Sequence, residues 1–403
     1  MIEDCDFLRP ELIDDPHPYL HRLRREDPVH WSAVHRAWVL TRYDDVAAAF
    51  LDERLSSERT ASLLPAEPTA EERELFDPIY RLLGNWMVFR DPPAHARLRR
   101  LARAAFGPRT VAGLRPSIES LVEERIAALE RAGGGDFVSA FAYPLPSTVI
   151  ATLLGVPQRD LDAFRGWSED VVPLVFGAAG RAERRDRALR GLAALEALFR
   201  DLLERYRRDP ADNLLTALAR AEDQGEVLSA DEVTATCVLL LFAGHETTAA
   251  LLATGVLHLD RHAAERAKLA ANPALAASAV EELLRFDGPT KTQVRLARED
   301  LELRGRRIRA GQRLMLCQAA ANRDPERFAD PDRLDLARRE NDHLGFGLGI
   351  HHCLGAPLAR LEAEVAFAAL PRRLPSLRVA AEHPEWQPNA LNRSLKSLPV
   401  VLG

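Results

Sequence analysis

The chain carries Phe346-Gly347-Leu348-Gly349-Ile350-His351-His352-Cys353-Leu354-Gly355, followed directly by Ala356-Pro357-Leu358-Ala359-Arg360. Three glycines in ten residues suit a backbone that turns through dihedrals closed to other residues, or that lies hard against a flat ligand. Beyond the cysteine, Pro357 is tolerated in a first helical turn, and Leu358, Leu361, Val365 and Leu370 recur at near-helical spacing. Cys353 is therefore expected where a helix begins, with free N–H groups and the positive end of the dipole near its sulfur. Both favour thiolate over thiol, and a thiolate is a strong ligand for a soft metal. The plainer reading is a small buried cysteine beside a turn.

Six positions of this stretch match the haem-binding loop of the cytochrome P-450 family, Phe-Gly-x-Gly-x-His-x-Cys-x-Gly, and the chain resembles that family. With average residue usage the match would arise by chance in such a chain with a probability of roughly one in a million. The resemblance implies a mainly α fold with a small β region, and haem b as cofactor. It makes Cys353 the axial thiolate on iron, with Phe346, Gly347 and Gly355 forming the loop and His351 reaching a haem propionate. Zinc is the competing metal. It lacks partners, because His351, His352 and Cys353 are consecutive and no Cys-x-x-Cys pair exists in the sequence.

Composition sets the outer bounds. The 403 residues are 47% apolar and 28% charged, enough for a large core. A net charge of -6 argues against a nucleic-acid footprint. Four cysteines lie far apart, which suits a reducing cytoplasm. The N-terminus is acidic where a secretory signal is basic, and the longest apolar tract, Thr234 to Leu257, is broken by His245 and Glu246. No membrane anchor is expected, as in the bacterial-type members of the family. With no repeat or linker, residues 1–403 read as a single domain.

Taken in order, Asp14 to Asp27 reads as a helix, and Val29–Ser32 with Ala37–Thr41 as a hairpin, after which Asp44 can cap a further helix. Ser56 to Pro78 is polar and poorly periodic, a loop region where the resemblance places the lid over the substrate. The helix opening at Asp91-Pro92-Pro93 puts His95 and Arg99 on one face. The resemblance gives that pair the haem propionates, for which Arg forks are geometrically suited. Arg97, Arg100 and Arg103 form a solvated basic face, a candidate dock for an acidic redox partner. Helical patterns follow over Pro116–Ala132, Pro146–Leu154 and Arg159–Val172, then a loop over Phe176–Arg184 and a helix to about Arg208.

Ser229-Ala230-Asp231-Glu232 is a capping box opening the longest helix, which runs to about Leu259. Its middle reads Ala243-Gly244-His245-Glu246-Thr247-Thr248, an acid and two alcohols within an apolar helix, where burial is costly. The family carries such an acid-alcohol pair opposite the thiolate, so the resemblance makes Glu246 and Thr247 the proton carriers and gives His245 no role. Ala276–Phe286 is a helix containing Glu282-Leu283-Leu284-Arg285. With Pro325-Glu326-Arg327-Phe328 it resembles the family's structural network of Glu282, Arg285 and Arg327. Short strands are expected at 292–297, 301–303, 307–309 and 314–317, with Arg295 a further propionate ligand by resemblance.

The family implied is a monooxygenase that puts one oxygen atom of O2 into a small to medium organic substrate. No flavin or iron-sulfur segment is present, which implies separate electron donors, a ferredoxin and its reductase. A monomer in the cytoplasm is expected. A peroxygenase and a haem-bearing sensor are the rival readings, and the acid-alcohol pair counts against both.

Overall fold

A computed structural model describes residues 2–60, 69, 77, 79–175, 182–223 and 225–403. The chain divides into two compact units, one of Met1–Leu55, Leu114–Pro146 and Glu246–Gly403, the other of Ser56–Gly113 and Ser147–His245.

In the first unit the sheet grows from the expected hairpin. Val29–Ser32 pairs antiparallel with Ala37–Leu40, Arg313–Cys317 runs parallel to Ala37–Leu40, and Thr292–Ala297 pairs antiparallel with Arg313–Cys317. Leu301–Leu303 and Arg306–Ile308 form a hairpin of their own, turned by Arg304 and Gly305 at positive φ. The expected meander is thus two sheets. One side of the main sheet packs on Val46, Phe50, Leu314 and Leu316, the other on Phe7, Leu20, Leu23 and Met315. Each such side chain contributes about 1.5–3 kcal/mol by leaving water.

The helix Ala356–Arg373 packs against Arg115–Ala132, Ala263–Ala271 and Ala276–Asp287. Arg115–Ala132 ends where Gly133 takes the left-handed conformation, φ 67°. Helix Ala263–Ala271 was not foreseen; nor was Leu214–Arg220, whose cap is Asn213 accepting from the Thr216 N–H at 2.8 Å.

In the second unit, Leu161–Val175 lies along Ala182–Arg208, and Leu214–Arg220 packs on Ala182–Arg208 and on Ala94–Ala105. Gly191 permits that closeness: a Cβ there would stand 2.8 Å from the Trp167 carbonyl oxygen. Most of the expected 56–78 loop lies outside the described residues, as do 176–181 of the expected 176–184 loop; the helix that follows already includes Ala182.

The long helix runs over Ala230–Arg261, and the capping box forms as expected: Ser229 N–H donates to Glu232 Oε2 at 2.8 Å, and Glu232 N–H to Ser229 Oγ at 3.2 Å. By length and hydropathy this helix could cross a membrane, yet 78% of its apolar window is buried within the protein. Gly255 on its C-terminal half lets Phe367 approach: a Cβ would fall 2.3 Å from Phe367 Cζ and 3.2 Å from Leu283 Cδ1. Gly255→Val should therefore cost about 1–3 kcal/mol, the usual penalty of overpacking. A urea midpoint equal to that of the unchanged protein would show that Phe367 moves aside freely.

Candidate active site

The loop around Cys353 is held by its own backbone. Gly347 N–H donates to Leu344 O at 2.8 Å, His352 N–H to Gly349 O at 3.1 Å, and Cys353 N–H to Phe346 O at 2.9 Å. Gly347 and Gly349 adopt φ 69° and 72°, where a side chain is strained. Gly355 does not, at φ -82°, and a Cβ there would make only an ordinary contact with Cys353 Sγ at 4.0 Å. The helix begins at Ala356, so Cys353 stands just ahead of its first turn, as expected.

Cys353 differs from the other cysteines in access. Cys5, Cys237 and Cys317 are 0% exposed, whereas Cys353 is only partly buried. Burial pushes the Cys5 and Cys237 thiols well up, and Cys317 to about 11. Those three are locked as thiols.

Phe50 joins the loop to Arg295. The Arg295 guanidinium carbon lies 5.5 Å from the Phe50 ring centroid, and a Cβ on Gly347 would sit 3.7 Å from Phe50 Cε1. Arg295 is 4% exposed and donates to Val294 O at 3.0 Å, so it is a buried arginine rather than a solvated edge residue. His351, on the 3-10 turn Gly349–His351, has its Nε2 atom buried.

In the second unit, His95 and Arg99 share a face of helix Ala94–Ala105, and His95 is 2% exposed. Burial first, and then the Arg99 charge, push the His95 imidazole down to about 4. Carboxylates beside the pair would reverse that trend. Burial lapses in the middle of the long helix: Ala243 is exposed and Gly244, Glu246 and Thr247 are half-buried, while residues on either side are buried. His245 turns inward, 0% exposed, its Nδ1 donating to Leu241 O at 2.7 Å. Nε2 is then the acceptor, facing Ser168 Oγ at 3.3 Å. Sequence reasoning left His245 without a role, because its partner lies on another helix.

Two expectations are corrected. Arg97 pairs with Glu232 in the first turn of the long helix and donates to Val227 O at 3.2 Å. Arg100 pairs with Glu226, on the short strand Glu226–Val227 before that helix, at 2.9 Å, so two of the three arginines of the expected basic face already have acidic partners within the chain. Arg327 is also displaced. It pairs with Asp342 at the surface, and the third member of the Glu282–Arg285 network is Arg338, whose Nε lies 3.1 Å from Glu282 Oε2.

The donor set fits haem b. In the first unit a partly accessible cysteine ahead of a helix suits the iron, and the buried Arg295 guanidinium is a group of the kind that suits a propionate.

Comparison with known proteins decides the matter. The family described as Cytochrome P450 matches residues 192–374. Cytochrome P450 CYP107DY1 of Priestia megaterium is 37% identical, covering 98% of both chains. The chain belongs to the cytochrome P450 family. The vitamin D(3) 25-hydroxylase of Pseudonocardia autotrophica is 39% identical, over 100% of this chain and 97% of its own. The solved structure of the P450 PksS, from the Bacillus subtilis 168 bacillaene polyketide synthase, superposes with a TM-score of 0.90 at 36% identity, over 99% of this chain and 100% of that one. The mainly α fold with a small sheet region is thus the P450 fold. Cytochromes P450 bind haem b through a cysteine thiolate, and this one is a monooxygenase that takes an organic substrate, O2 and electrons from redox partners.

Proposed function

We propose that this P450 hydroxylates a small to medium lipophilic natural product, with Cys353 as the residue whose thiolate would hold the haem iron and electrons from a ferredoxin and its reductase. The observation that carries the ligand assignment is that Cys353 alone among the four cysteines is not fully buried. Relatives named as a vitamin D(3) 25-hydroxylase, a polyketide biosynthesis P450 and a 6-deoxyerythronolide B hydroxylase support the substrate class. The whole chain acts as one catalytic domain, a reading supported by relatives that match it end to end. A monomer in the cytoplasm fits the bacterial relatives.

Bound haem supplies dioxygen activation: one oxygen atom enters a C–H bond and the other leaves as water, using two electrons and two protons. The chain's own part is to hold the cofactor and move protons. His95, Arg99, Arg295 and His351 would hold the propionates, and Phe346, Gly347 and Gly355 would shape the loop. Glu246 and Thr247 sit where burial lapses in the middle of the long helix, and would pass protons from a carboxyl to a hydroxyl.

The test is turnover of lipophilic candidates with NADPH, ferredoxin reductase, ferredoxin and isotopically labelled O2. Label in the product establishes the reading; product made equally well from hydrogen peroxide alone, without reductant, would replace it with a peroxygenase. With the same assay, Thr247→Ala should lower product formation by about 10²-fold, the typical worth of a proton-transfer group, while reductant consumption continues and hydrogen peroxide is released.

A further inference from the structure

Phe346 is the residue through which the loop grips its cysteine, since its carbonyl accepts the Cys353 N–H. Its ring is held in turn. The Arg360 guanidinium carbon stands 4.4 Å from the ring centroid, and Glu281 clamps Arg360 from behind, Nε to Oε1 at 2.7 Å and Nη2 to Oε2 at 2.9 Å. A forked arginine–carboxylate pair fixes the plane of the guanidinium, and a cation over a ring face is attracted to it.

His343 completes the brace. Its Nδ1 accepts the Gly345 N–H at 3.0 Å, so Nε2 carries the proton that it donates to Glu281 Oε2 at 3.1 Å. The His343 and His352 rings flank Phe346 with centroids at 6.1 and 6.3 Å. Burial raises the Glu281 carboxyl, but hydrogen bonds from His343 and Arg360 outweigh it and bring it to about 2. Glu281 is therefore a carboxylate at neutral pH, set against the guanidinium that arginine keeps charged in proteins.

We propose that Arg360 is a positioning residue for the cysteine ligand: the Glu281–Arg360 pair, lying on Phe346, fixes the loop that presents Cys353 and balances the charge beside it, and so sets how readily the iron is reduced. The proposal rests on the reading of Cys353 as the ligand. An added electron is favoured by nearby positive charge and opposed by negative charge. Removing Arg360 exposes the Glu281 carboxylate, and removing the Glu281 charge exposes Arg360. The two changes act in opposite directions, which a brace serving only stability would not produce.

The experiment is a redox titration of the haem-loaded protein, with the carbon monoxide spectrum of each variant recorded beside it. Arg360→Gln should lower the ferrous-to-ferric ratio at fixed potential by about three- to tenfold, tenfold being 59 mV for one electron. The effect stays this small because Arg360 is partly solvated. Glu281→Gln should raise the ratio by a similar factor, and the double variant should return close to the starting value. If Arg360→Gln fails to hold haem, Glu281→Gln still decides the sign. Shifts of the same sign, or none, with the thiolate spectrum intact overturn the proposal alone. A parent protein without a thiolate spectrum overturns the ligand assignment beneath it.

Discussion

Cys353→Ala should abolish the thiolate-type Soret band of the carbon monoxide complex and all oxygen insertion, while Cys5→Ala, Cys237→Ala and Cys317→Ala retain both. The asymmetry follows from burial. The three other sulfurs are 0% exposed, and burial holds them as thiols, so none can take over as the ligand. Cys353 stands on a loop whose hydrogen bonds join backbone to backbone, Gly347 to Leu344 and Cys353 to Phe346. Alanine leaves those bonds intact, so the loop keeps its shape and only the ligand is lost. Circular dichroism should therefore remain near that of the parent. A thiolate spectrum surviving in Cys353→Ala would refute the assignment, and its loss in Cys237→Ala instead would move the ligand to the long helix.

The loop was legible because its chemistry is local. Glycines at positive φ, a proline in the first helical turn and a cysteine at fixed spacing are all constraints between neighbours in sequence. The capping box at Ser229 was legible for the same reason. What failed was long-range pairing. Arg97 and Arg100 lie on the solvent side of their helix by periodicity, yet Glu232 and Glu226, more than a hundred residues later, claim them. Arg327 and Arg338 each follow a proline- and aspartate-rich turn, and nothing local says which one reaches Glu282. Leu214–Arg220 was missed because it is too short for a periodic signal; Asn213 and Thr216 three residues apart were the one available cue.

Arg285→Ala should be the most damaging change away from the haem loop, destabilising the protein by about 3–5 kcal/mol, the usual cost of removing one partner of a buried ion pair. The side chains of Arg285 and Glu282 are both 0% exposed. An arginine has five N–H donors, and here each has an acceptor: Nε and Nη2 reach the two Glu282 oxygens at 2.8 and 2.9 Å, Nη1 reaches Asn322 O and Pro331 O at 3.0 and 2.8 Å, and Nη2 also reaches Arg333 O at 3.3 Å. Truncation thus leaves a buried carboxylate and the carbonyls of Asn322 and Pro331 short of a donor, whereas Arg333 O still accepts from Arg338 Nη2 at 3.2 Å.

Arg338, the Asp335 N–H and the Asn341 amide still address Glu282, so its charge is not wholly abandoned. For that reason the lower part of the range is expected, and Glu282→Leu combined with Arg285→Met should recover only part of the loss. That pair removes the buried charge but leaves the carbonyls of Asn322 and Pro331 without the donor they have here, while Arg333 O keeps Arg338 Nη2 at 3.2 Å. Arg285→Lys should also fail, because an ammonium cannot span the fork and the carbonyls at once. Urea unfolding of the four proteins measures this. A loss below about 1 kcal/mol in Arg285→Ala would mean that water or Arg338 replaces the fork, whereas full recovery in the double variant would mean that the carbonyls never depended on it.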